Sequence, residues 1–224
     1  MTYIVTTEDL LSQVAPPNLP APTKEYSPLF FEQFNNVLRL YFNQLNKIVS
    51  QLNTNAGSIG SMIQFPYGAF SSDQDQTTTA NTATLVTFNT TDFANDVSIT
   101  ASKITVQNAG IYNLQFSVQV ESDDVAPQDV FIWLRQGNGG GGSVDITGST
   151  GKVGLPARKS PGNPFHSIIG WNYYLSMAVD DYIQIYWSTT SANVSIQHYP
   201  ASGTPTKPST QSVVATLSFV SALP

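Results

Sequence analysis

Residues 111–121, IYNLQFSVQVE, alternate without a break: Tyr112, Leu114, Phe116, Val118 and Val120 are apolar, while Asn113, Gln115, Ser117, Gln119 and Glu121 are polar. A period of two places one set on each face of a β-strand, and a core on one side only suits an antiparallel sheet. Segments 128–135, 171–177, 182–187, 193–199 and 212–220 read the same way. Clusters of Gly, Pro, Asn and Asp break the chain between them at the spacing of a sandwich. No helical period follows Leu52, so residues 66–224 are expected to form one antiparallel β head, mainly β in class.

Upstream the period changes. Phe31, Phe34, Leu38, Tyr41, Leu45, Ile48 and Leu52 recur at alternating spacings of three and four, which is a heptad seam. Tyr26 and Phe31 occupy the positions of a hydrophobic staple, Ser27 is an N-cap, and Pro28 stands where a missing N–H costs nothing. Asn53, Asn55 and Gly57 supply the stop. Phe30, Val37, Phe42 and Val49 widen the stripe beyond what two helices cover, and aromatic residues in the seam need more room than a dimer offers. A helix over 28–53 in a bundle of three or more is the expectation, with packing on its own domain as the alternative. Residues 54–65 are a linker.

Residues 1–27 read as an extended arm. Pro16, Pro17, Pro20 and Pro22 fall within eight residues, each fixing φ and removing a donor. Tyr3, Ile4, Leu10 and Leu11 give such an arm something to bury against a partner. Otherwise it is a disordered tail.

Composition narrows the function. Only 11% of the 224 residues are charged, net charge is −6, and Ser, Thr, Asn and Gln make up about a third of the chain. There is no electrostatic footprint for nucleic acid or for an anionic membrane. The absence of cysteine rules out disulfides and thiolate metal sites. The first residues carry no basic or apolar signal region and no apolar run approaches a bilayer span, so synthesis in a cytoplasm is expected.

Chemistry is harder to find. Gly137–Gly142 contains G-x-G-x-x-G, but the residues that follow read as a strand rather than the helix a dinucleotide needs, so a hairpin loop is expected. His166 and His198 lack metal-ligand spacing, and no G-x-S-x-G elbow occurs. Carboxylates at Asp73, Asp75, Glu121, Asp123, Asp124, Asp129, Asp180 and Asp181 could supply calcium ligands at turns, though such groups ordinarily face water. No catalytic residue, cofactor or metal is expected. Trp133, Trp171 and Trp187 are candidate ligand-facing aromatics, with a core or trimer-axis role as the alternative.

Residues 102–112, SKITVQNAGIY, leading into the alternating strand, resemble the A-G-x-Y signature of C1q/TNF-like jelly rolls. The segments FIWLRQ at 131–136 and LSMAVDDYI at 175–183 fit the same pattern, with Asp180-Asp181 where that family has Gly-Asp. The resemblance covers roughly 66–222 and implies a homotrimer. Residues 22–46, PTKEYSPLFFEQFNNVLRLYFNQLN, are similar to N-terminal segments of virion structural proteins of tailed phages that infect marine cyanobacteria. That similarity implies a fibre or decoration on a virion surface, attached through residues 1–27 to a capsid or tail protein. A host-surface polysaccharide is then a candidate partner of the head. The rival expectation is a carbohydrate-binding or carbohydrate-processing β-sandwich with no obligate trimer.

Overall fold

The computed structural model describes residues 17–21, 24–47 and 65–223 in full, and the backbone of 48–54. The chain divides into two compact units at Gln64/Phe65.

The first unit carries α1, Pro28–Thr54, one residue longer than the periodicity indicates. Its start follows the local chemistry: the Phe30 N–H donates to Ser27 Oγ at 3.3 Å, and the Tyr26 and Phe31 rings meet at 5.4 Å. Pro17–Ala21 returns along one flank of the helix. Pro17 lies beside Val37, Leu40, Tyr41 and Gln44, and residues 18–21 lie beside Gln33, Asn36 and Val37. At roughly 100° per residue the centre of that flank is about a quarter turn from the centre of the seam, and Tyr41 belongs to both.

The second unit is a two-sheet antiparallel sandwich. Its strands are β1 Tyr67–Ser72, β2 Gln76–Thr77, β3 Thr84–Leu85, β4 Thr90–Asn95, β5 Val97–Thr100, β6 Lys103–Val106, β7 Gly110–Ser122 and β8 Gln128–Asn138. They continue with β9 Ser143–Asp145, β10 Gly151–Leu155, β11 Phe165–Met177, β12 Asp181–Thr189, β13 Val194–Ile196, β14 Ser202–Gly203, β15 Thr206–Lys207 and β16 Val213–Ser221. In the first sheet β7 pairs along its whole length with β11, and on its other side with β16 and then β13. Outside these lie β1 beside β16, β2 beside β13, and β4 at the edge. The second sheet runs β10-β8-β12-β6-β5, with β9 beside β8 and β3 beside β12. The long strands pass back and forth between the sheets, and β1 lies next to β16 near the chain's other end; this is a jelly roll.

The alternation over 111–121 is realised. Tyr112, Leu114, Phe116, Val118 and Val120 point inward onto Val130, Ile132 and Leu134 of β8 and Ile183 and Ile185 of β12, all buried in one core. Tyr112 closes the bottom of that core. Its hydroxyl donates to the Asn108 carbonyl at 2.8 Å, its ring meets Phe219 edge-on at 5.5 Å, and burial pushes its hydroxyl up to about 12. A Cβ at Gly110 would enter the Phe219 ring, which is why the residue two before Tyr112 has no side chain. Asp180 adopts φ 64°, the left-handed region that favours Gly and that Asp tolerates. Asp180-Asp181 so forms the turn into β12, in which Asp181 accepts from the Ala178 N–H at 2.9 Å.

Loop carboxylates stitch the far end. Asp124 accepts from Ser191 Oγ, the Ala126 N–H and Asn193, and the Ser191 bond first of all lowers it from 3.8 to about 2. A carboxylate held below its unfolded value stabilises the fold above about pH 4, and this is lost as pH falls through about 2. Asp124→Asn is therefore expected to melt below the wild type at pH 7. The gap should close near pH 2, as read by thermal scans at the two values.

Candidate functional site

On α1, Phe34, Leu38, Tyr41 and Leu45 are half-buried and Phe31 is exposed; the side chains of Ile48 and Leu52 lie outside the described residues. Phe31 is 46% and Phe42 61% exposed, so part of the apolar stripe meets water in the single chain, while Leu29 and Leu40 are exposed on the opposite flank. Of the arm residues, Pro17 and Pro20 are placed on the helix flank, whereas Tyr3, Ile4, Leu10, Leu11, Pro16 and Pro22 lie outside the described residues.

In the head, the outer face of the first sheet is almost free of charge at its centre. Asn113, Gln115, Ser117 and Gln119 on β7 and Val214, Thr216 and Ser218 on β16 face outward there. Tyr67, Phe93, Ile168 and Tyr174, all 40–66% exposed, stand around them. At one end His166 Nδ1 lies 2.8 Å from the Tyr199 hydroxyl, which donates to Glu121 at 3.0 Å. Burial and then this carboxylate raise the Tyr199 hydroxyl above its ordinary range. The chain of bonds ties β11, β7 and the segment after β13 together, and residues 33 and 78 apart in sequence meet in it.

The three tryptophans separate. Trp187 is fully buried among the core residues of the jelly roll, so the expectation that it faces a ligand is corrected: it sits on the inward phase of β12 with Ile183 and Ile185. Trp171 is corrected as well. It shares the inward phase of β11 with Ile169 and Leu175, meets Phe116 at 5.4 Å, and lies over Gly151 of β10, where a Cβ would strike the indole. That packing closes the sandwich along the β10 and β11 margin. Both phases were legible in the sequence, since Ile183, Ile185 and Trp187 alternate with Gln184 and Tyr186, and Trp171 and Leu175 alternate with Asn172 and Ser176.

Trp133 alone stands on an outer face, half-buried on the second sheet. It is directly opposite Tyr186, with ring centroids 5.9 Å apart and planes 26° apart. Its indole N–H donates to Asp145 at 3.0 Å. Arg135 grips the same carboxylate from Nε at 2.7 Å and from its terminal nitrogen at 3.2 Å, and lies 4.0 Å from the Tyr186 ring centre. The Arg135 bond holds the Asp145 carboxyl below the usual range.

The turn carboxylates are spread over the chain's own donors. Asp73 accepts from Gln74 and Asn89, Asp75 from the His198 N–H, Asp123 from Arg158, and Asp129 pairs with Lys152. Among the described residues no three His or carboxylate side chains gather as a metal site. Gly139–Gly142 is a hairpin turn between β8 and β9, as its strand flanks predict.

No family model and no curated protein matches this chain. Among solved structures, it is similar to the globular domain of the zebrafish complement 1qA protein, at 14% identity and a TM-score of 0.41. That match covers 71% of this chain and 100% of the zebrafish domain.

Proposed function

We propose that this chain is a structural protein of a virion surface, a homotrimeric fibre, spike or capsid decoration whose jelly-roll head adheres to the host. Its role is structural and adhesive rather than catalytic. The observation that carries the reading is the apolar stripe of α1, exposed at Phe31 and Phe42 in the single chain and carried on a compact unit of its own. Three copies would bury the seam at roughly 1.5–3 kcal/mol for each fully covered side chain, before ordering costs. The uncharged, aromatic-rimmed outer face of the first sheet supports the same association in the head. In this reading residues 1–27 anchor, 28–53 form the stalk, 54–65 link, and 66–224 are displayed. The resemblance of residues 22–46 to phage virion proteins supports a particle as the anchor's partner, with synthesis in the host cytoplasm.

Deletion of residues 1–27 tests the anchor. The truncated protein is expected to remain a folded trimer by native mass spectrometry while failing to join its parent particle in a reconstitution assay. A proline-rich arm is already extended, so docking it costs little entropy, and three arms add avidity. Incorporation equal to that of the full chain would reverse the assignment of ends.

A further inference from the structure

In a two-layer sandwich the inward side chains hold the fold, and the outer face needs only to be wet. The outer face of the second sheet goes further. β8 sets Phe131, Trp133 and Arg135 along one line, and the register brings Tyr186 beside Trp133, Lys152 beside Phe131, and Asp145 beside Arg135. The Trp133 indole and the Tyr186 phenol stand side by side on this face, and Asp145 fixes both Trp133 and Arg135 in place. Lys152 reaches Asp129 at 2.8 Å, with its ammonium 5.6 Å from the Phe131 ring centre.

The charge on this strip cancels: Arg135 is paired with Asp145, and Lys152 with Asp129. An anionic ligand would meet both carboxylates, and a cationic one both bases. Nucleic acid also stacks on aromatic rings, but it needs uncancelled positive charge, and the chain carries −6 overall. A pyranose needs neither sign. Its C–H faces are apolar and suit an aromatic surface, and its neighbouring hydroxyls donate and accept at once. Asp145 and Arg135 offer an acceptor and donors side by side, already oriented.

We infer that the Trp133–Tyr186 strip, flanked by Arg135, Asp145 and Lys152, is a binding site for a neutral polysaccharide. This deepens the adhesive part of the proposed function and rests on it, but does not depend on the trimer.

The full-length protein is titrated with cellohexaose, mannan and galactan, and with polygalacturonate and oligothymidylate as charged controls. Binding to at least one neutral glycan is expected, and added salt should leave it unchanged, because no net charge is matched. Trp133→Ala should weaken it by about tenfold or more. Trp133→Phe should keep most of it, and Asp145→Asn should weaken it through the lost acceptor. Trp133 faces outward, so the melting temperature of Trp133→Ala should stay near that of the wild type, which separates lost binding from lost fold. No binding by the wild type, equal binding by Trp133→Ala, or a preference for either charged control that fades with salt would each overturn the inference. Native mass spectrometry of the same preparation keeps the two readings apart. A trimer that binds no neutral glycan removes the site and leaves the assembly standing, and a monomer that binds does the reverse.

Discussion

Replacing Trp187 with alanine is expected to cost the head about 3–5 kcal/mol, the range for removing a large aromatic side chain from a packed core. The indole is fully buried between the two sheets, and the surrounding strands are held by pairing on both sides of β12. They cannot close over a cavity of that size, so the loss of transferred area and the cavity both count. Trp187→Phe should cost much less. It refills most of the volume, and it removes an indole N–H that has no partner in the core, a group that is unfavourable to bury. Chemical denaturation of the full chain, followed by the far-ultraviolet β signal, reads both. A Trp187→Ala protein as stable as the wild type would mean that Trp187 does not fill the core.

The second large effect is on association. Leu38→Asp together with Leu45→Asp places two carboxylates on the middle of the seam, where burial without a partner costs several kcal/mol per charge. Six such charges in a trimer are expected to separate the helices. The outer face of the first sheet can still hold the heads together, so the direct readout is at the stalk: the helical signal should fall, because a single helix of this length is marginal in water once its apolar face is uncovered. The head is a separate compact unit, so its melting transition should remain. An unchanged helical signal would show that this stripe is not what joins the helices.

Much of the head was readable from local pattern. The phase of residues 111–121 named the inward face of β7 correctly, and the phases of β11 and β12 carried the same information for Trp171 and Trp187. Segment ends were less legible. β11 begins at Phe165 rather than 171, because the residues before Trp171 mix apolar and polar types on both phases, and pairing with β7 decides the matter. β13 is shorter than the segment 193–199 that reads as a strand, ending at Ile196, and beyond it the His198 N–H donates to the Asp75 carboxylate.

Trp133 marks the limit. In residues 130–135, VFIWLR, both phases are apolar up to Arg135, so alternation names neither as the interior. Only the register against β12, which puts Ile132 opposite Trp187 and Trp133 opposite Tyr186, sends one phase into the core and the other to the surface. The same holds for Asp145, which reaches Trp133 and Arg135 through the β8–β9 pairing, and for the His166, Tyr199 and Glu121 contact. By itself the sequence determined what depends on spacing within one strand or helix: the β class, the heptad stripe, the helix start, and the uncharged surface. Which strand lies beside which was decided by tertiary structure. A period of two orients a side chain up or down but contains no term for the neighbour across the sheet, and that neighbour is set by long-range closure of the core.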